Sequence, residues 1–186
     1  GLENNTSSGG QDIFLIKIDN STVKQWTKQL GSSSNDTGRG VAVGASNNIY
    51  VTGITAGGLD GYTNLGEQDI FLVKYNSSGT RQWTKQLGTT SEDVGYGVAL
   101  NSSGDIFVTG TTYGALTGSN YGSSDIFLVK YYDNGTKQWI KQLGTASEDV
   151  AYGLTVDSDN HIYLTGYTKG NPWDVPGNLD NESNSG

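Results

Sequence analysis

Apolar residues come in short runs of about four to six positions, each bounded by Gly, Asn, Ser or Asp, and the three- to four-residue spacing of an amphipathic helix is missing. The runs repeat. Asp12-Ile-Phe-Leu-Ile-Lys17 returns as Asp69 to Lys74 and Asp125 to Lys130. Lys24-Gln-Trp-Thr-Lys-Gln-Leu-Gly31 returns as Arg81 to Gly88 and Lys137 to Gly144. Gly40-Val-Ala-Val returns at Gly97 and Gly153, and Ile49-Tyr-Val-Thr-Gly53 at Ile106 and Ile162. The period is 56–57 residues. Asp12 to Gly53 spans 41 residues, as do Asp69 to Gly110 and Asp125 to Gly166, so every length change falls between these blocks. A block that admits no insertion is packed, and a segment that admits one is a surface loop.

Each block predicts four β-strands. Asn76-Ser-Ser-Gly79 and Asp133-Asn-Gly135 suit tight hairpins, as do Asn47-Asn48, Ser103-Gly104 and Asp159-Asn160. The unit reads as a four-stranded antiparallel meander, and the fold class as all-β with β-propeller blades. Ile70-Phe-Leu-Val73 is apolar on both faces and predicts a sandwiched strand. Small residues around Gly97-Val-Ala suit crowding near an axis. In the Trp strand, polar residues alternate with Trp26 and Leu30, which suits an outer strand whose lysines guard an exposed edge. With the small-residue strand innermost, residues 40–88 and 97–144 are blades, 12–31 is an outer half-blade and 153–166 an inner half-blade, all within one repeat domain, 1–186. The other phase, with Asp-Ile-Phe innermost, gives three whole blades.

Composition narrows the function classes. Hydrophobic residues are 33%, which suits a thin core shared among many strands, while 11 tyrosines and 4 tryptophans argue against disorder. A net charge of −8 argues against nucleic acid and anionic membranes as partners. No apolar run approaches the roughly 20 residues of a spanning helix. With no cysteine, disulfides, thiol catalysis and thiolate metal sites are excluded. A chain that starts at Gly1 and has no methionine reads as a processed product or an excised segment.

The Gly97-Val-Ala strand, the Asn-Ser-Ser-Gly turn, Ile106-Phe-Val-Thr-Gly110, Asp125-Ile-Phe-Leu-Val-Lys130 and the Gln138-Trp139 strand together resemble the bacterial "seven-bladed β-propeller" repeat family, across about residues 10–170. The first two strands also look like NHL-type propeller repeats. The resemblance implies blades and an extracellular or cell-surface setting. It implies no reaction and carries no catalytic residues to transfer.

Candidate chemistry concentrates in the connections after each Trp strand. Glu92 with Asp93, and Glu148 with Asp149, offer oxygen ligands for calcium or an acid–base pair for glycosides. The competing structural role is acceptance of turn amides by Asp93 and Asp149. It is favoured because the motif recurs in every repeat and repeat one has Asn35 in place of the glutamate. Asp12, Asp69 and Asp125 at strand entries are expected to satisfy backbone donors, and Lys17, Lys74 and Lys130 to meet acidic neighbours. Trp26, Trp83 and Trp139 read as core between blades. Tyr62, Tyr113, Tyr121, Tyr167 and Trp173 lie in the variable loops and are the candidates for stacking on a glycan or gripping a protein ligand. His161, the lone histidine, stands at a turn exit. The expectation is a non-enzymatic scaffold or interaction module whose complementary half-blades pair with another copy, giving a ring or filament, or with native sequence absent here. The alternative is a lectin-like adhesin.

Overall fold

The structure is a computed structural model and describes residues 7–171. Twelve strands follow one another: β1 (Ile13–Ile18), β2 (Lys24–Leu30), β3 (Asp36–Val43), β4 (Ile49–Thr55), β5 (Asp69–Tyr75), β6 (Arg81–Leu87), β7 (Asp93–Leu100), β8 (Ile106–Thr112), β9 (Asp125–Tyr131), β10 (Lys137–Leu143), β11 (Asp149–Val156) and β12 (Ile162–Thr168). The one helical element among the described residues is a 3-10 turn at Ala45–Asn47. The order β3-β4-β5-β6 makes one four-stranded sheet and β7-β8-β9-β10 another, while β1-β2 and β11-β12 are two-stranded. All pairings within these sheets are antiparallel.

The alternation of side chains explains why β4 and β5 are buried along their whole length. One face of each looks towards the preceding sheet and the other towards the following one. Tyr50, Ile70 and Leu72 pack with Val98, Ile106, Val108, Phe127, Val129 and Tyr131 of the next sheet. On the other side Phe71, Val73 and Tyr75 pack with Ile13 and Leu30 of the first hairpin. The core therefore lies between sheets. Each fully buried large side chain there contributes about 1.5–3 kcal/mol, and no sheet has an apolar interior of its own.

Polar ties fix the spacing of these layers. The Lys74 ammonium, at the end of β5, reaches the Asp133 carboxylate in the β9–β10 turn at 2.6 and 2.7 Å, and Tyr50 donates its hydroxyl to the same carboxylate. The indole N–H of Trp83 donates to the Asp133 carbonyl at 3.1 Å. Gly135 lies on the ring of Trp83, and Gly79 occupies the same place on Trp26, so each turn of one sheet caps the tryptophan of the sheet before it. Lys17 repeats the tie to the Ser77 carbonyl at 3.4 Å, whereas Lys130 pairs with Asp105 inside its own sheet at 2.8 Å.

Candidate functional site

The Asp-bearing end of the sheets gathers the connections that follow each Trp strand and the long variable loops. Parallel bridges between Gln68 and Glu92 and between Ser124 and Glu148 tie one kind of loop to the other. The aspartates build this end. Asp36, Asp93 and Asp149 are buried, and each carboxylate accepts from the backbone N–H four residues earlier, at 2.6, 2.5 and 2.6 Å from Ser32, Thr89 and Thr145. The hydroxyl of the same residue adds a 2.9 Å bond in each case. Burial pushes the Asp93 carboxyl above its ordinary range despite these donors and that of Thr112.

The second set does a different task. Asp12, Asp69 and Asp125 accept from a loop N–H and from the amide of Gln29, Gln86 and Gln142, at 2.6, 2.8 and 2.6 Å. Gln86 and Gln142 then hold the long loops by accepting from the N–H of Leu59 and Leu116. The other oxygen of Asp69 and Asp125 faces Gly88 and Gly144, where any Cβ would collide with it. This explains why the Trp strand ends in glycine.

Glu92 and Glu148 separate from their aspartate neighbours, because adjacent residues point opposite ways. Tyr167 donates to Glu148, which also pairs with Lys169; these contacts hold the carboxyl below its usual range and push the Tyr167 hydroxyl up to about 12. Tyr113 lies within electrostatic reach of both glutamates. Tyr62 and Tyr121 sit in other loops and enter no ring contact among the described residues, and Trp173 lies outside the described residues. Among the described residues no three Asp, Glu or His side chains converge as a metal-binding group would. His161 contacts Asp157 at 2.9 Å.

One feature was not anticipated from the sequence. The ladders β3–β4, β7–β8 and β11–β12 skip a residue between Gly38 and Gly40, Gly95 and Gly97, and Ala151 and Gly153. These bulges leave Arg39, Tyr96 and Tyr152 outside the pairing. Arg39 lies over the Tyr96 ring at 5.0 Å, Tyr96 meets Tyr152 edge-on at 5.0 Å, and Tyr152 meets Tyr167 at 6.0 Å. The result is a polar–aromatic ladder crossing successive sheets. Its signal is the recurring small–X–Gly triplet with a large X.

The β-propeller repeat profile matches residues 25–60, 82–116 and 138–173. The chain belongs to the β-propeller repeat family. The match describes single repeats and gives no blade number, so seven does not follow from it. The repeats are also similar to the regulatory protein FlaEY of Caulobacter vibrioides, 29% identical over 158 residues, covering 77% of this chain and 16% of that protein. A WD repeat-containing protein of Acanthamoeba polyphaga mimivirus, L264, is 24% identical over 185 residues, covering 78% of this chain and 13% of its own length. The propeller repeats here thus span under a fifth of either relative. No helix among the described residues is long and apolar enough to cross a membrane.

Proposed function

We propose that the chain is a non-enzymatic structural and interaction module, working outside the cell or at its surface, that associates with other copies through its terminal half-sheets. The carrying observation is the division of strands into two, four, four and two, with the β1-β2 pair at one end and the β11-β12 pair at the other. The recurring aspartates and tryptophans are engaged in turns, loop anchors and layer contacts, which supports a scaffold over a reaction centre. The acidic, cysteine-free composition supports the extracellular setting, and relatives named as regulatory and WD repeat proteins support protein partners. Sedimentation velocity over a hundredfold range of concentration tests the reading. Growth of larger species with concentration is expected, and a monomer throughout would refute it.

The Tyr96–Tyr152–Tyr167 ladder beside Glu148 favours a second reading, a lectin-like or protein-binding face. Aromatic rings next to carboxylates suit sugar C–H faces and hydroxyls. A glycan array compared with the Tyr152→Ala and Trp173→Ala variants decides it. Binding that both variants weaken is expected on that reading, and no glycan bound at millimolar concentration would remove it.

A further inference from the structure

In each four-stranded sheet the second and third strands meet through the same set of contacts, and the two ends of the described chain each hold half of that set. Phe71 and Phe127 are fully buried, whereas Phe14, at the same place in the repeat, is 63% exposed. Phe71 rests against Gly53 and Phe127 against Gly110, with ring atoms 2.9 and 2.8 Å from where a Cβ would stand. Gly166 occupies the same place on β12, and its nearest neighbours among the described residues are backbone atoms of Val150 and Ala151 on β11. Tyr50 and Phe107 are buried under the ammonium groups of Lys74 and Lys130, each 5.6 Å from the ring centre. Their counterpart Tyr163 is 55% exposed. On β3 and β7, Gly40 and Gly97 abut the Cα atoms of Gly97 and Gly153, at 3.3 and 3.4 Å from their Cβ positions, while Gly153 itself, among the described residues, meets only Thr165 of its own sheet.

Two open grooves match these vacant contacts. One, about 520 Å³, is lined by Leu128, Trp139 and Leu143 of one sheet and by Ile162 and Leu164 of the last. The other, about 600 Å³, runs between β1 and β3. The bare face of β1 presents Phe14, Ile16 and Ile18, the positions that Phe127, Val129 and Tyr131 fill in β9.

We infer that β12 of one copy pairs antiparallel with β1 of a second copy in a single register, Thr165 opposite Leu15 and Gly166 opposite Phe14, so that Phe14, Ile16 and Ile18 fill the Trp139 groove. The register follows from two internal precedents. Thr52 opposes Leu72 and Gly53 opposes Phe71 across β4–β5, and Thr109 opposes Leu128 and Gly110 opposes Phe127 across β8–β9. Thr52 and Thr109 each donate a hydroxyl to the carbonyl of that phenylalanine at 2.7 Å, and Thr165 is placed to do the same for Phe14. Tyr163 then comes opposite Lys17, as Tyr50 is opposite Lys74. The β11–β12 pair of the first copy enters the groove between β1 and β3 of the second. Two half-sheets become one four-stranded sheet, and the joint repeats the two joints already in the chain.

This inference rests on the self-association proposed above and adds its geometry. The absence of native cysteine makes disulfide trapping clean. Directly opposed residues of an antiparallel pair lie about 4.5–5.5 Å apart at Cα, within disulfide range. Mixing Leu15→Cys with Thr165→Cys under mild oxidation is expected to give a covalent dimer. Mixing Ile16→Cys with Thr165→Cys is not, because a one-residue slip turns the side chain to the other face. Phe14→Ala is expected to weaken association roughly tenfold or more while leaving far-UV circular dichroism unchanged. A wild-type chain that sediments as a monomer refutes self-association itself. A wild-type chain that associates, yet fails to trap the Leu15/Thr165 pair, traps the Ile16/Thr165 pair instead, or is indifferent to Phe14→Ala, refutes this joint alone.

Discussion

The aspartates show how much a position's meaning depends on which donors surround it. Asp93 and Glu92 are neighbours in sequence with opposite fates. Asp93 is buried and accepts from the Thr89 N–H, the Thr89 hydroxyl and Thr112. Replacing it by Ala leaves buried donors without an acceptor and is expected to cost about 1–3 kcal/mol in urea unfolding. Glu92→Gln is expected to stay within about 0.5 kcal/mol. In the same way, Gly88→Ala forces a methyl onto Asp69 and is expected to cost about 1–3 kcal/mol. Tyr167, pushed up to about 12 chiefly by Glu148, is expected to titrate lower in Glu148→Gln, read by NMR of labelled tyrosine. The turn-capping role of Asp93 and Asp149 was legible in the sequence because the motif recurs in all three repeats. The bulge residues Arg39, Tyr96 and Tyr152 were not, because strand patterning assumes unbroken pairing and a bulge shows itself only as a register skip.

Among the elements, the strands were the most legible part. Four apolar runs per repeat, separated by Asn/Gly turns, correspond to β3–β6 and β7–β10, and the invariant 41-residue spacing reflects packing that tolerates no insertion. What the sequence left open was which strand is innermost, since two phases of one period carry the same apolar pattern. Contacts between sheets were not legible either, the Lys74–Asp133 tie among them. Partial burial alone would raise the Asp133 carboxyl, but the Lys74 ammonium and Tyr50 hydroxyl outweigh it and hold it below the usual range. A carboxyl lowered by folding stabilises the fold above the unfolded value, about 3.9, and that contribution fades as pH falls through the lower folded value. Acid unfolding of the wild type is therefore expected to include a limb below about pH 4 that is diminished in Asp133→Asn, as followed by tyrosine fluorescence or circular dichroism.

At the largest scale, the physical question is what finishes the two-stranded sheets β1-β2 and β11-β12. Unpaired strand edges are templates for further pairing, and among the described residues β1 and β12 each leave one edge unpaired, with the side chains of an internal joint already in place. Copies of net charge −8 repel one another, so association is expected to strengthen from about 10 to 150 mM salt as the screening length falls. A head-to-tail contact of this type closes into a ring or extends into a filament according to its rotation per copy. Amide hydrogen exchange at β12 tests the joint most directly. The β12 amides that point away from β11 are predicted to exchange freely in dilute solution and to gain the protection of the matching β8 amides as concentration rises. Exchange at those amides that ignores concentration, whether fast or slow throughout, would contradict the account.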